Sequence, residues 1–387
     1  MPLKEIPIDG HEIVFVDESD DFKDELNAAA NIVPCRVGNP LRAASVFDHY
    51  TYVDDIQTGR FGSVYRVWCS VTQTHYAAKS VVINAKSARS DRPALAREIG
   101  VLNRLQHPSV VRLVDAFDQR RQIVIVTELI DGGELFDRVT DHHFILTEQS
   151  TKMIIGQLCE ACRYIHSRNI IHFDIKPENI MFTSRYSNVV KLIDFGLAQE
   201  YSRDLQVMAG TPEFIAPEIA KYETVCFKSD IWSIGVIALS GLSPFLGETD
   251  AETYCNIQEG HFDFNHDEFA DVSDSARQFV VELLQYNRSD RPSAAECLAH
   301  RWLQWHSRLG NSGSLQKRRL QRYVARRRWR RYINAVSAVV HLERRCRQQR
   351  LRHQQPHRPL ILDETTSKAS SMLVPRLKEI CVNAQVV

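Results

Sequence analysis

The sequence lacks any long apolar run and any disulfide framework. None of its 387 residues belongs to a stretch that approaches the roughly 18 apolar residues of a membrane span. The first residues, MPLKEIPIDG, do not show the basic and then apolar pattern of a secretion signal. Nine cysteines are scattered without regular spacing. We therefore expect a cytoplasmic protein with reduced thiols and no membrane span.

The chain also lacks net charge, since 48 Lys and Arg residues balance 48 Asp and Glu residues. This balance hides an asymmetry between the ends. Residues 1–50 contain ten acidic and four basic residues, whereas residues 301–352 contain sixteen basic residues and one acidic residue. Charge blocks of this kind usually belong to interaction segments.

Hydrophobic periodicity divides the chain into parts. Residues 51–130 contain short β-type runs separated by turn residues, and residues 131–304 are mostly helical in pattern. We predict an α+β domain over 51–304, with a small β-rich lobe followed by a larger helical lobe. Three further parts flank this domain: a weakly ordered acidic lead-in (1–50), a basic segment (305–352) and a weakly ordered tail (353–387). Within the small lobe, RPALAREIGVLNRLQ predicts a helix that begins after Pro93.

Two features of the β-rich part suggest phosphate binding. Gly59 and Gly62 lie in a strand–turn–strand pattern before Val64, and such a loop can offer backbone N–H groups to phosphate oxygens. Two glycines in a hairpin are more often only a turn. Lys79 lies in an apolar strand, where a lone lysine is costly unless paired. Glu98, on the predicted helix, is its candidate partner.

Two acidic motifs follow in the helical part. The stretch HFDIKPEN at residues 172–179 contains Asp174, Lys176 and Asn179, and KLIDFGLA places Asp194 twenty residues beyond Asp174. These motifs resemble the catalytic loop H-R-D-x-x-x-x-N and the D-F-G motif of protein kinases. With the glycine loop and Lys79 in the same order, the chain resembles a bilobal eukaryotic protein kinase over residues 52–303.

This resemblance implies ATP and Mg²⁺ as cofactors. Asp174 would accept the proton of a substrate hydroxyl, Lys176 would neutralise charge on the transferred phosphoryl group, and Asn179 and Asp194 would hold the metal. The expected nucleotide-binding residues are Ile56, Gly59, Gly62, Val64, Lys79, Glu98, Glu128, Ile130 and Glu134.

The stretch GTPEFIAPE resembles the end of a kinase activation segment. In the family, Glu218 would pair with a distant arginine that matches Arg291, and Asp230 would brace the backbone of the catalytic loop. Thr211 would belong to the floor that binds the substrate peptide.

Finer motifs, among them GGELFDRV, DIKPENIMF and SGLSPFLGETDAET, resemble the calcium/calmodulin-dependent kinases. Within that group they are most similar to the myosin light chain kinases and the muscle kinases of the titin, twitchin and obscurin type. This implies transfer to Ser or Thr in a basic context, with myosin regulatory light chain as a plausible family-level substrate and a cytoskeletal or myofibrillar location. Glu134 and Glu178 match positions that contact substrate arginines, although both are also compatible with plain surface acids.

Two positions depart from the family pattern. Phe173 replaces the usual arginine before Asp174, and Gln57 replaces the first loop glycine. An arginine at position 173 would bind a phosphorylated activation loop, which Phe173 cannot do. We expect Phe173 to remove a regulatory contact and no catalytic one. A pseudokinase scaffold is the alternative that these two departures favour and that Lys79 and Asp194 oppose.

The basic segment contains KRRLQRYVARRRWRRYINAVSAVVHLERR, which predicts a basic amphipathic helix. Its candidate apolar anchors are Trp329, Ile333, Val336 and Leu342. Calmodulin binds such helices through Met-rich pockets with acidic rims, and the family resemblance implies a tail that blocks the cleft until Ca²⁺–calmodulin removes it. Binding to anionic membrane or nucleic acid is the alternative. We expect calmodulin and a protein substrate as partners, no nucleic acid, and a monomer.

Overall fold

The computed structural model of the chain describes residues 6–8, 11–13, 41–59, 62–83, 88–140, 144, 147–240, 243–245, 247, 249–260 and 272–304. These residues form a small lobe built on a β-sheet and a larger helical lobe. The α+β class and the two-lobed architecture predicted from the sequence are therefore confirmed. No helix in this described part of the chain is long and apolar enough to cross a membrane.

The small lobe contains a six-stranded sheet. A separate antiparallel hairpin, β1 (Ile6–Ile8) and β2 (His11–Ile13), precedes it in the chain. The sheet strands are β3 (Leu41–Arg42), β4 (Thr51–Gly59), β5 (Gly62–Cys69), β6 (Thr74–Val82), β7 (Leu113–Asp118) and β8 (Gln122–Glu128). Their spatial order is β3-β7-β8-β6-β5-β4, with β3 parallel to β7 and all other neighbours antiparallel. Every strand from β4 to β8 lies in a stretch with the predicted β pattern.

The first helix of the small lobe, α1 (Ala88–Leu102), begins five residues before Pro93. The predicted start after Pro93 is therefore wrong. Proline lacks one N–H, so the cost here is the loss of one hydrogen bond near the helix N-terminus. Burial of Leu95 and Ile99 in the main apolar cluster offsets that loss.

The larger lobe surrounds one long buried helix. Its helices are α2 (Leu135–Thr140), α3 (Glu148–Ser167), α4 (Pro217–Ala220), α5 (Lys228–Ser240), α6 (Asp250–Glu259), α7 (Asp274–Leu283) and α8 (Ala294–Ala299). Its short strands are β9 (Ile170–Ile171), β10 (Ile180–Phe182), β11 (Val190–Leu192) and β12 (Gln199–Glu200), paired β9 with β12 and β10 with β11. Helix α3 packs against α5, α8, β9 and β11, and so it supports the segments that carry Asp174 and Asp194.

The Glu148 carboxylate at the start of α3 contacts two later parts of the large lobe, the residue before α7 and a residue after α8. Glu148 accepts hydrogen bonds from the backbone N–H and hydroxyl of Ser273, at 3.0 and 2.7 Å, and from the Trp302 indole at 2.9 Å. Burial alone would raise the pKa of Glu148, but these bonds outweigh burial and hold the pKa below its usual value. The carboxylate therefore stabilises the fold only in its ionised form.

We predict that Glu148→Gln lowers the free energy of unfolding by about 1–3 kcal/mol at neutral pH, because an amide cannot accept all three bonds. The native pKa lies below the unfolded one, so the stabilisation is present above the unfolded pKa and is lost as pH falls through the native pKa. Thermal unfolding of both proteins across pH measures this difference.

The matched control is Glu160→Gln on the same helix, which removes an equal charge from an exposed pair with Arg163. Equal effects of the two substitutions, or a Glu148→Gln effect that grows at acidic pH, would contradict this account of Glu148.

Candidate active site

A lysine of the small lobe contacts carboxylates from two different segments. Lys79 Nζ on β6 lies 2.8 Å from Glu98 Oε1 on α1 and 3.2 Å from Asp194 Oδ1, which follows β11. Burial would lower the pKa of Lys79, but the two carboxylates outweigh it and hold that pKa above its usual value. The structure thus brings together three residues that lie far apart in the sequence, and it keeps the lysine charged.

The catalytic-loop residues form a compact hydrogen-bonded group. Asp174 Oδ2 accepts from Lys176 Nζ at 2.7 Å and from Asn179 Nδ2 at 2.9 Å, and its Oδ1 accepts from Thr211 Oγ1 at 2.9 Å. Lys176 Nζ also donates to Thr211 Oγ1 at 2.9 Å. Thr211, which the sequence placed only on the peptide-binding floor, therefore contacts Asp174 directly. Its hydroxyl orients the carboxylate that would accept a proton.

Asp230 at the start of α5 holds the backbone of this loop. Its two oxygens accept the N–H groups of His172 and Phe173, each at 3.0 Å, and the same carboxylate lies 2.9 Å from His166 Nε2. Burial would raise the pKa of Asp230, but His166 and the other partners outweigh burial and keep it below its usual value. The carboxylate is thus ionised and can fix two adjacent backbone groups.

Phe173 adopts a backbone conformation that is rare for a bulky residue. Its φ is +66°, and its side chain is buried in the main apolar cluster of the large lobe. Strain of this kind persists only where the surroundings enforce it. Here the bond to Asp230 and the packed ring enforce it, so Phe173 anchors the loop through apolar contacts.

The activation segment is fixed at both ends. Near its start, β12 pairs with β9, and Asn169 exchanges hydrogen bonds with the backbone of Tyr201. Near its end, Arg291 donates to both oxygens of Glu218, at 2.8 and 2.7 Å, and both residues are buried. A buried bidentate pair of this type fixes orientation as well as charge.

The glycine loop is described at its two strand ends. Gly62 has φ +123°, and a Cβ at this position would lie 2.3 Å from the carbonyl oxygen of Ser80, so only glycine fits. Gly59 pairs with Gly62, and Gln57 pairs with Val64 in the ladder between β4 and β5. The ladder is irregular between Asp55 and Gln57, but Gln57 does not have the positive φ that would require a glycine.

Five more of the expected nucleotide-binding and substrate-binding residues are distributed over both lobes. Ile56 is exposed, and Val64, Ile130, Glu134 and Glu178 are half-buried. Glu134 forms a backbone bridge to Met181, next to β10. Each of the five therefore lies on a strand or connection adjoining the groups already described.

The side chain of Glu128 has a partner that the sequence reading missed. Its Oε1 lies 3.1 Å from Lys191 Nζ and accepts the Arg112 N–H at 2.8 Å. Lys191 is buried in β11, three residues before Asp194. A lysine inside the apolar stretch VVKLI was the available signal, since a buried lysine requires a partner.

The donor set around Asp194 and Asn179 fits Mg²⁺. The Ile193 N–H donates to the Asn179 carbonyl at 2.9 Å, which places the two residues on adjacent backbone. The Asn179 amide nitrogen is engaged by Asp174, and this leaves its side-chain oxygen for another partner. Carboxylate and amide oxygens are the ligands that Mg²⁺ prefers. Lys79 and neighbouring groups also hold the pKa of Asp194 below its usual value despite burial, so this carboxylate is ionised.

The four anchors of the basic segment, Trp329, Ile333, Val336 and Leu342, lie outside the described residues. The lead-in and tail predictions likewise fall mostly outside them.

We predict that Phe173→Ala lowers the free energy of unfolding by about 3–5 kcal/mol, because it opens a cavity at a buried site. Phe173→Leu should cost less than about 1.5 kcal/mol, since it keeps apolar volume. Chemical denaturation measures both values. A Phe173→Ala protein as stable as the wild type would contradict the anchoring role.

Comparisons with known proteins agree with this geometry. The family model of the protein kinase domain matches residues 50–303. Myosin light chain kinase 3 of Rattus norvegicus is 43% identical over 295 residues, which are 74% of this chain and 37% of that protein. The chain therefore spans well under half the length of this curated relative.

Two solved muscle kinases have the same fold. The twitchin kinase region from C. elegans matches with a TM-score of 0.72 and 33% identity, covering 80% of this chain and 55% of that one. The autoinhibited serine kinase domain of the giant muscle protein titin matches with a TM-score of 0.67 and 31% identity, covering 73% and 88%. The chain belongs to the protein kinase family, in the branch that contains the myosin light chain kinases and the twitchin and titin kinases.

Proposed function

We propose that the chain is an ATP- and Mg²⁺-dependent Ser/Thr protein kinase that phosphorylates hydroxyl groups in a basic sequence context. One observation carries the proposal: Asp174, Lys176, Asn179 and Thr211 share one hydrogen-bonded group, while Lys79 pairs with Glu98 and Asp194. A scaffold without turnover would not need all of these polar groups in one cleft.

The nucleotide would bind between the lobes. Lys79 would hold the α- and β-phosphates, and the backbone at Gly59 and Gly62 would cover them. The backbone of Glu128 and Ile130 would contact the base. The apolar side chains of Ile56 and Val64 would pack on it, and Glu134 would contact the ribose. Mg²⁺ held by Asn179 and Asp194 would neutralise charge on the phosphates when it is bound.

The substrate hydroxyl would approach Asp174. Its Oδ1 and Oδ2 accept hydrogen bonds from Thr211 and Lys176, so the carboxylate is held in one orientation for proton acceptance. Lys176 would also offset the negative charge of the phosphoryl group in transfer. Glu134 and Glu178 would attract arginines that flank the acceptor.

The relatives suggest which substrate and location to test. The protein named myosin light chain kinase 3 makes myosin regulatory light chain the first candidate. The similarity to titin and twitchin kinases favours a place on the cytoskeleton or the myofibril.

Control by the tail is the second part of the proposal. Phe173 cannot bind a phosphorylated activation loop, so activity requires another switch. The titin relative is an autoinhibited kinase domain, and residues 305–352 of this chain carry a strong positive charge. We place the inhibitory contact in this segment. Ca²⁺–calmodulin would bind Trp329, Ile333, Val336 and Leu342 and remove the segment from the cleft.

The direct test is transfer of phosphate from ATP to a basic Ser peptide and to myosin regulatory light chain, with and without Ca²⁺–calmodulin. We expect transfer to rise with calmodulin and to vanish in Asp194→Ala, because that substitution removes both a metal ligand and a partner of Lys79. Deletion of residues 317–352 should give transfer without calmodulin.

Three outcomes would change this assignment. Transfer that ignores calmodulin would keep the kinase and remove the tail mechanism. Salt-dependent tail binding to lipid vesicles or nucleic acid, unaffected by Ca²⁺, would reassign the tail. No transfer in any state, with the tail present or deleted, would identify a pseudokinase scaffold.

A further inference from the structure

Residues 41–49 precede the region that the kinase family model matches, yet they belong to the small-lobe sheet. Strand β3 lies parallel to β7, with Leu41 opposite Ala116 and Arg42 opposite Phe117. After β3 the chain forms a short 3₁₀ helix, Val46–Asp48, that begins with a capping box from Ser45. The segment therefore has its own local structure and does not only trail from the domain.

The segment is packed into an apolar cluster of its own. Val46 is 3% exposed and Tyr50 is 7% exposed. The Phe117 ring is fully buried, and it contacts Tyr50 with ring centroids 6.1 Å apart and His49 at 5.6 Å. This cluster, formed by Val46, Tyr50, Val67, Cys69, Tyr76, Ala78, Phe117, Val124 and Val126, is separate from the main core. We call it the second small-lobe cluster.

Polar contacts hold the segment in register. Arg42 Nε lies 3.1 Å from Asp115 Oδ1, and the Asp115 side chain is only 10% exposed. The Arg42 guanidinium also lies over the Phe117 ring, 5.7 Å from its centroid. Gln119 Nε2 donates to Ser45 Oγ at 3.3 Å. Charge, ring and hydrogen-bond contacts therefore all tie the segment to β7 and the turn after it.

Alternation along the strands shows what the segment covers. In β8, Ile123 and Ile125 belong to the main core, which includes residues of α1, whereas Val124 and Val126 belong to the second small-lobe cluster. In β6, Ala78 belongs to the second cluster, and the next residue, Lys79, pairs with Glu98 of α1. Successive side chains of a strand point to opposite faces. The second small-lobe cluster, to which the segment contributes Val46, therefore lies on the face of β6 opposite Lys79.

We propose that residues 41–49 are a positioning element for Lys79. By covering the reverse face of β6, they hold the strand so that Lys79 Nζ stays within hydrogen-bond distance of Glu98 and Asp194. The functional consequence rests on the proposed ATP-binding role of Lys79. The proposed effect of the segment on the position of β6 does not rest on that role, because it concerns only packing.

The experiment compares three variants of the full-length chain. Val46→Ala removes buried volume from the second cluster, Val46→Ile keeps a β-branched apolar side chain there with one added methylene, and Phe47→Ala changes the next residue, which is 58% exposed. Amide hydrogen exchange of residues 76–80 reports the mobility of β6. Initial rates in the presence of Ca²⁺–calmodulin, at a temperature where all variants are folded, report KM for ATP and for the peptide.

We expect Val46→Ala to accelerate exchange in β6 and to raise KM for ATP about three- to tenfold, because a displaced Lys79 binds phosphate less well. KM for the peptide should not change. Val46→Ile, which leaves no cavity, should change both values much less than Val46→Ala, and Phe47→Ala should match the wild type. Arg42→Gln, which leaves Asp115 without this cation, should act in the same direction as Val46→Ala.

A Val46→Ala protein with a lowered melting temperature, but with normal β6 exchange and normal KM for ATP, would overturn the proposal and leave the segment a purely stabilising role. A wild type that transfers no phosphate in the presence of Ca²⁺–calmodulin, and whose melting temperature does not shift with Mg²⁺–ATP, would refute the proposed kinase activity. In that case the rate of amide hydrogen exchange in β6 still decides whether the segment positions the strand.

Discussion

The ammonium group of Lys79 contacts two carboxylates, and these contacts join three separate segments of the chain. Lys79 on β6, Glu98 on α1 and Asp194 beyond β11 come from three segments, and their atoms lie within 2.8 and 3.2 Å of the lysine nitrogen. Removing Lys79 would leave the carboxylate of Glu98, whose side chain is 6% exposed, without its cation, and an uncompensated buried charge is strongly destabilising. The placement of the small-lobe sheet, of α1 and of the segment that carries Asp194 is therefore coupled through one site.

The catalytic loop reaches its arrangement by internal contacts alone. Asp230 fixes two backbone N–H groups, Thr211 fixes the Asp174 carboxylate, and Phe173 supplies an apolar anchor where the general kinase pattern H-R-D has an arginine. None of these contacts requires a phosphorylated residue. The described geometry therefore forms the catalytic loop without a phosphorylated residue, as a kinase under the proposed control by its tail requires.

The motif residues could be predicted from the sequence because each combines an unusual residue type with a distinctive setting. Lys79 in an apolar strand and Asp194 in D-F-G are examples, and the buried pair of Glu218 with Arg291 is present as the family pattern implied. Contacts that depend on tertiary packing were missed: the hydroxyl of Thr211 on Asp174, and the segment before residue 50, whose apolar residues have no clear period. The start of α1 was misplaced because packing outweighs a single proline.

The most direct test of this account is the rate of phosphate transfer before and after the purified protein is treated with a phosphatase, in the presence of Ca²⁺–calmodulin. Tyr201 and Ser202 are the only residues with hydroxyl side chains between Gly196 and Gly210. Mass spectrometry of the peptide that contains them verifies that this part of the activation segment is unphosphorylated, and Asp174→Asn is the blank. The account predicts equal rates for treated and untreated protein, both well above the blank. A treated protein that loses activity and regains it on phosphorylation of Tyr201 or Ser202 would contradict it.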